Sequence, residues 1–115
     1  MTLEEIAKKM CAKGKGILAA DESTGTIAKR FKSINVENTE QNRLIFRQTL
    51  FSSKGMKQFI GGVILFDETI RQKTTLGQTV PELIMQNDAI PGIKVDKGAK
   101  SLAGSLDETV TEGLD

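Results

Sequence analysis

The 115-residue sequence predicts an α/β fold in which helices alternate with the strands of a parallel sheet. Three short apolar runs, beginning near Gly16, Gly62 and Ile93, carry the prediction. In the first of them apolar residues fall at both parities, as in a strand buried on two faces. Helical periodicity separates the runs, which is the layout of βα units. Each run also ends in an aspartate: Asp21, Asp67 and Asp96. In parallel sheets and barrels the carboxyl ends of the strands form the functional face, so the three acids read as the rim of one site. Acids after strands also serve as helix caps and turn formers, and the pattern alone leaves both readings open.

The elements follow in order. Thr2 and Glu5 form the spacing of a capping box, and Leu3, Ile6, Ala7, Met10 and Cys11 recur at helical intervals until Lys13-Gly14 stops the helix. Lys15–Asp21 is the first strand. Ser23–Ile34 is helical, with Ile27, Phe31 and Ile34 on one side, and Asn38-Thr39-Glu40 opens a helix that runs to Ser53. Gly61–Asp67 repeats the first strand's layout, glycine first and acid last. Thr79 and Glu82 cap a further helix with Pro81 in its first turn, and Pro91–Asp96 is the third strand. Lys97–Asp115, rich in Gly, Ser and Thr, reads as an irregular tail. Cys11 and Met10, Met56 and Met85 read as packed side chains.

Composition narrows the chemistry. Sixteen basic against fifteen acidic residues give a net charge of +1, too balanced for a general electrostatic grip on nucleic acid or an anionic membrane. No apolar run approaches the roughly 20 residues of a membrane span. A lone cysteine makes a reducing compartment the default, and the absence of histidine sets aside a transition-metal site. Acid–base work therefore falls to Asp, Glu and Lys.

Several side chains suit phosphate chemistry. Ser23, Thr24 and Thr26 sit where the first strand turns into a helix, and their hydroxyls with the free amides there suit an anion or an ordinary cap equally. Arg43 and Arg47, at i and i+4, share a helix face and read either as phosphate clamps or as a solvated face. Lys94 and Asp96 point to one side of their strand, opposite Ile93 and Val95. A lysine and a carboxylate on a buried strand face are costly unless paired or used.

The run Gly14–Arg30 (GKGILAADESTGTIAKR) closely resembles the N-terminal signature of class I (Schiff-base) fructose-1,6-bisphosphate aldolases. The resemblance continues through Glu37–Arg43, Gly61–Phe66, Glu68-Thr69, Gly92–Gly98, Leu102–Gly104 and Glu112–Asp115, and so covers nearly the whole chain. It implies a partial TIM (β/α)8 barrel of about the first three βα units, within a single incomplete domain spanning 1–115. It also implies that Asp21, Lys94 and Asp96 are catalytic, and that Ser23, Thr26, Arg30 and Arg43 bind the sugar phosphate. Three departures stand out: Asp67 where histidine is usual, Leu44 in place of a second arginine, and a shortened loop around Lys54–Lys57.

The implied reaction is reversible cleavage of fructose 1,6-bisphosphate to dihydroxyacetone phosphate and glyceraldehyde 3-phosphate, in the cytoplasm, with no cofactor or metal. The resemblance further implies a homo-oligomer, tetrameric in the family, as the parent protein. A (β/α)8 barrel takes about 250 residues, so the chain reads as an N-terminal piece, with the imine-forming lysine beyond Asp115 and no activity alone. A non-catalytic sugar-phosphate-binding module, or a piece that assembles with a complementary fragment, is the competing expectation.

Overall fold

The computed structural model describes all 115 residues, Met1–Asp115. Helix α1 (Leu3–Met10) is closed by the expected capping box: Thr2 N–H donates to Glu5 Oε2 at 2.7 Å, and Glu5 N–H donates to Thr2 Oγ1 at 3.2 Å. Strand β1 (Gly16–Ala20) leads through the Ser23 N-cap into α2 (Thr24–Ser33). Helix α3 (Glu40–Phe51), capped by Thr39, is followed by a short α4 (Met56–Phe59) that runs directly into β2 (Ile60–Leu65). A one-turn α5 (Asp67–Ile70) precedes α6 (Val80–Gln86), whose capping box joins Thr79 and Glu82, and then β3 (Ile90–Ile93).

The three strands form a parallel sheet in the order β1-β2-β3, with β2 in the centre. Paired residues in a parallel sheet point the same way, so the register sorts the side chains into two faces. Leu18, Ala20, Val63 and Leu65 share the face packed against α3 and α6, where Leu44, Phe51, Val80, Leu83 and Ile84 complete the core. Ile17, Ala19, Gly62, Ile64, Ile90 and Gly92 lie on the other face.

That second face is largely open. Ile17 is 48% exposed, which corrects the expectation that the first strand is buried on both sides. Only at its lower end is it covered, where Met10 of α1 lies against Gly61 and Gly62. A Cβ at Gly61 would land on the Met10 carbonyl oxygen, so the helix docks there because two glycines follow Ile60 in the strand.

Three further differences have physical reasons. Lys97–Asp115 is not an irregular tail but carries an antiparallel hairpin, β4 (Ala99–Ser101) and β5 (Thr109–Thr111), exposed along its whole length and therefore without an apolar alternation to reveal it. Cys11 is exposed at the end of α1, and Met85 is 53% exposed, because neither has a layer above it; Met56 alone of the methionines is in the core. Strand β3 ends at Ile93, although Lys94 N–H still donates to the Leu65 carbonyl at 2.9 Å and prolongs the ladder by one residue.

The radius of gyration is 16.1 Å, against about 13 Å for a compact domain of this length. A plate 49 × 41 × 23 Å, with α3 and α6 on one side and the other covered only at one end by α1, accounts for the difference. With unpaired strand edges and an open apolar face, the isolated chain is expected to unfold over a broad thermal range and to self-associate. A sharp calorimetric transition in a monodisperse monomer would contradict this. Gly61→Ala should undock α1 and accelerate amide exchange across Leu3–Met10, whereas unchanged exchange would show that the close approach is not needed.

Candidate active site

The site forms beyond the carboxyl ends of β1 and β3. Asp21 continues β1 on the Ile17 and Ala19 side, while Lys94 and Asp96 continue β3 on the Ile90 and Gly92 side. All three therefore project from the open face, and there they meet. Lys94 Nζ donates to Asp96 Oδ1 at 2.6 Å and lies 3.7 Å from Asp21 Oδ2.

Asp96 is itself held from behind. Its Oδ2 accepts the Gly98 N–H at 2.9 Å, a contact made possible by the positive φ of Gly98, +90°, which turns the chain back on itself. A cleft of about 450 Å³ opens over the cluster, lined also by Glu22, Ser23, Thr26, Phe66, Lys97 and Gly98. A larger hollow lies on the outer side among Glu40, Gln41, Leu44, Glu68, Arg71, Gln72 and Lys73, and it gathers no comparable set of converging groups.

The charges reinforce one another. The Asp96 carboxylate, accepting from it, raises Lys94 above the usual lysine range, with a smaller contribution from Asp21. The Lys94 ammonium and then the Gly98 amide hold Asp96 below the usual aspartate range. Both groups are ionised at neutral pH, and Lys94 is a fixed cation.

The remaining candidates divide by position. Ser23 Oγ accepts the Thr26 N–H at 3.3 Å as the cap of α2 and lies 3.1 Å from Thr26 Oγ1, so two hydroxyls edge the cleft together. Arg30 reaches back across α2 to the carboxylate of Glu22, which lines the cleft, and 58% of its side chain is exposed.

Arg43 lies elsewhere. It is buried, donating through Nε and Nη2 to the two oxygens of Glu68 at 2.7 and 2.8 Å and through Nη1 to Asn38 Oδ1 at 2.9 Å. Its Nε, Nη1 and Nη2 are turned to Glu68 and Asn38 and it does not line the cleft, so the structure does not bring it together with the other residues expected to contact the sugar phosphate. Asp67 also leaves the rim: it starts α5 and pairs in the open with Arg71, one turn on. Arg43 and Arg47 do not form a solvated face, since both are buried.

The family model for fructose-bisphosphate aldolase class-I matches residues 2–115. The chain belongs to the class I fructose-bisphosphate aldolases. It is 60% identical over 113 residues to fructose-bisphosphate aldolase 5, cytosolic, of Arabidopsis thaliana, and 58% identical over 114 residues to fructose-bisphosphate aldolase A of Salmo salar. Each match takes in 98% of this chain but 32% and 31% of the relative, so the chain spans about a third of the length of the curated relatives it matches.

Among solved structures, the fructose-bisphosphate aldolase of Plasmodium falciparum, in complex with TRAP and a small-molecule inhibitor, superposes with a TM-score of 0.89 at 49% identity. The superposition takes in 95% of this chain and 31% of that one. The sheet is thus the corresponding part of an aldolase TIM barrel, with α3 and α6 packed on one face and the charged cluster on the other.

Four cleft residues of this aldolase chain, Glu22, Phe66, Lys97 and Gly98, were not among the expected site residues. Phe66 follows β2 with the parity of Ile64, and that alternation could have placed it on the open face. Glu22 had no signal beyond its place between Asp21 and Ser23.

The charge states fix the pH response. Lys94 titrates above its unfolded value, so its contribution is intact below about pH 10.4 and is lost as pH rises through the elevated folded value. Asp96 titrates below its unfolded value, so its contribution is intact above about pH 3.9 and is lost as pH falls through the depressed folded value. Carbon-13 NMR of Lys94 Cε and Asp96 Cγ should therefore show no step between roughly pH 5 and 9, and a step near neutrality would refute the ion cluster.

Proposed function

We propose that the cleft is part of the active site of a fructose-1,6-bisphosphate aldolase, a lyase that reversibly cleaves its substrate to dihydroxyacetone phosphate and glyceraldehyde 3-phosphate. The observation that supports this most directly is the Lys94 ammonium lodged between carboxylates that follow two different strands. Substrate phosphates and hydroxyls carry or develop negative charge, and a cation beside two carboxylates offers both a counter-charge and acceptors for hydroxyl protons. In this reading Lys94 draws the anionic part of the sugar into the cleft. Asp21 and Asp96 orient it and hold Lys94 charged. Ser23 and Thr26, at the N-terminus of α2, and Arg30, in its last turn, contact a phosphate.

Lys94 does not form the imine. A nucleophilic amine has to be neutral, whereas Lys94 is held protonated by two acids. The imine-forming group belongs to the remaining two-thirds of the barrel, so the 115 residues alone form an incomplete domain that binds without cleaving. The fully assembled protein works in the cytosol as a homo-oligomer.

Equilibrium dialysis with fructose 1,6-bisphosphate tests this reading. Weak saturable binding is expected, reduced about tenfold or more by Lys94→Met, the loss of one charge-assisted contact. Borohydride added with substrate is expected to leave Lys94 unmodified. No saturable binding, or a reduced adduct on Lys94, would overturn the assignment.

A further inference from the structure

We propose that Arg47 is a positioning residue for the cleft, holding the Asp21–Ser23 corner in place through the main chain of Glu22. Its consequence for catalysis rests on the function proposed above; its structural role does not. Arg47 lies on α3, outside the cleft, and is completely buried. Its Nη2 donates to the Glu22 carbonyl at 2.6 Å, while Nε and Nη1 find no partner at all. Burial pulls its pKa down, and the carboxylates of Glu22, Glu68 and Asp21 work against that pull while Arg43 adds to it.

A guanidinium buried with idle donors is a poor way to fill space. An aliphatic side chain of similar volume would avoid the desolvation cost altogether. Packing therefore does not explain an arginine here, and the one strong bond it makes does. That bond ends on the carbonyl of the peptide that links Glu22 to Ser23, next to Asp21. Arg30 grips the same residue from the solvent side, through Glu22 Oε2, while Glu22 Oε1 stays buried and unpartnered. The corner is thus held from beneath by one arginine and from outside by another.

The neighbouring arginine supplies the contrast. Arg43, one turn earlier on α3, spends its fork on the side chains of Glu68 and Asn38 and leaves the cleft corner untouched. Arg47 is the one that reaches the backbone beside Asp21. The Asp21–Lys94 separation of 3.7 Å is already long for an ion pair, so a shift of about 1 Å in this corner would break it and displace Ser23 as well.

Arginine-detected nitrogen-15 NMR on the unsubstituted chain, without ligand, gives the first reading. The Arg47 guanidinium protons should exchange slowly and rotate slowly beside those of Arg30 and Arg71; fast exchange and free rotation would overturn the proposal. Arg47→Met keeps the bulk and removes the donors, while Arg47→Lys keeps a cation and can reach one acceptor. The Met variant should shift the Asp21, Glu22 and Ser23 amides and weaken fructose 1,6-bisphosphate binding about tenfold, and the Lys variant should recover most of both. Unshifted amides in the Met variant, or no recovery in the Lys variant, would overturn it. If the Met variant fails to fold, the Lys variant and the exchange measurement decide. If the unsubstituted chain binds no bisphosphate, the proposed function fails, while the ligand-free spectra still judge Arg47.

Discussion

One ammonium group joins strands that do not touch. Strands β1 and β3 flank β2 and lie roughly 10 Å apart in the hydrogen-bonding direction. The backbone ladder cannot bridge that gap, and Lys94 does so with its side chain, meeting Asp96 on its own strand's extension and Asp21 beyond the other. The arrangement depends on register. Shifting β3 by one residue against β2 would send Lys94 to the helix-packed face, away from Asp21. The apolar packing of Val63 and Leu65 on the opposite face therefore fixes the charged cluster as firmly as the ion pairs do.

Burial divides the charged residues by purpose. Those on the open face keep some contact with water and are free to meet a ligand. Those beneath the helices are committed to the protein: Arg43 to Glu68, which drops below its ordinary range under that guanidinium, and Arg47 to a carbonyl. Two arginines at i and i+4 on one helix thus carry different duties, although their spacing alone suggests a matched pair.

How far the sequence could be read follows from the same division. Wherever a backbone rule acts locally, the residues announce the structure: both capping boxes, the Ser23 and Thr39 caps and the first two parallel strands stand where the spacing puts them, whereas β3 stops at Ile93, short of the expected Asp96. Asp21, Lys94 and Asp96 were legible because strand parity is a strict rule, and because carboxyl ends gather on one side of a parallel sheet. What sequence could not reveal was pairing between distant side chains. Nothing near Arg43 announces Glu68, twenty-five positions on, and nothing near Asp67 says that a one-turn helix will carry it outward to Arg71. The hairpin was hidden for a different reason, since strands exposed on both sides need no apolar pattern.

Gly98 separates two mechanical regimes within a few residues. On its near side the chain is fixed by the ladder to β2 and by the lysine–aspartate contact; on its far side β4 and β5 hold only each other, joined back by Lys97 and Gly98 to Glu112. Because the hairpin tip shares no side chain with the cleft, it is a natural handle: a dye, an affinity tag or an inserted peptide between Ser101 and Thr109 would report on or immobilise the molecule while leaving the cleft residues in place.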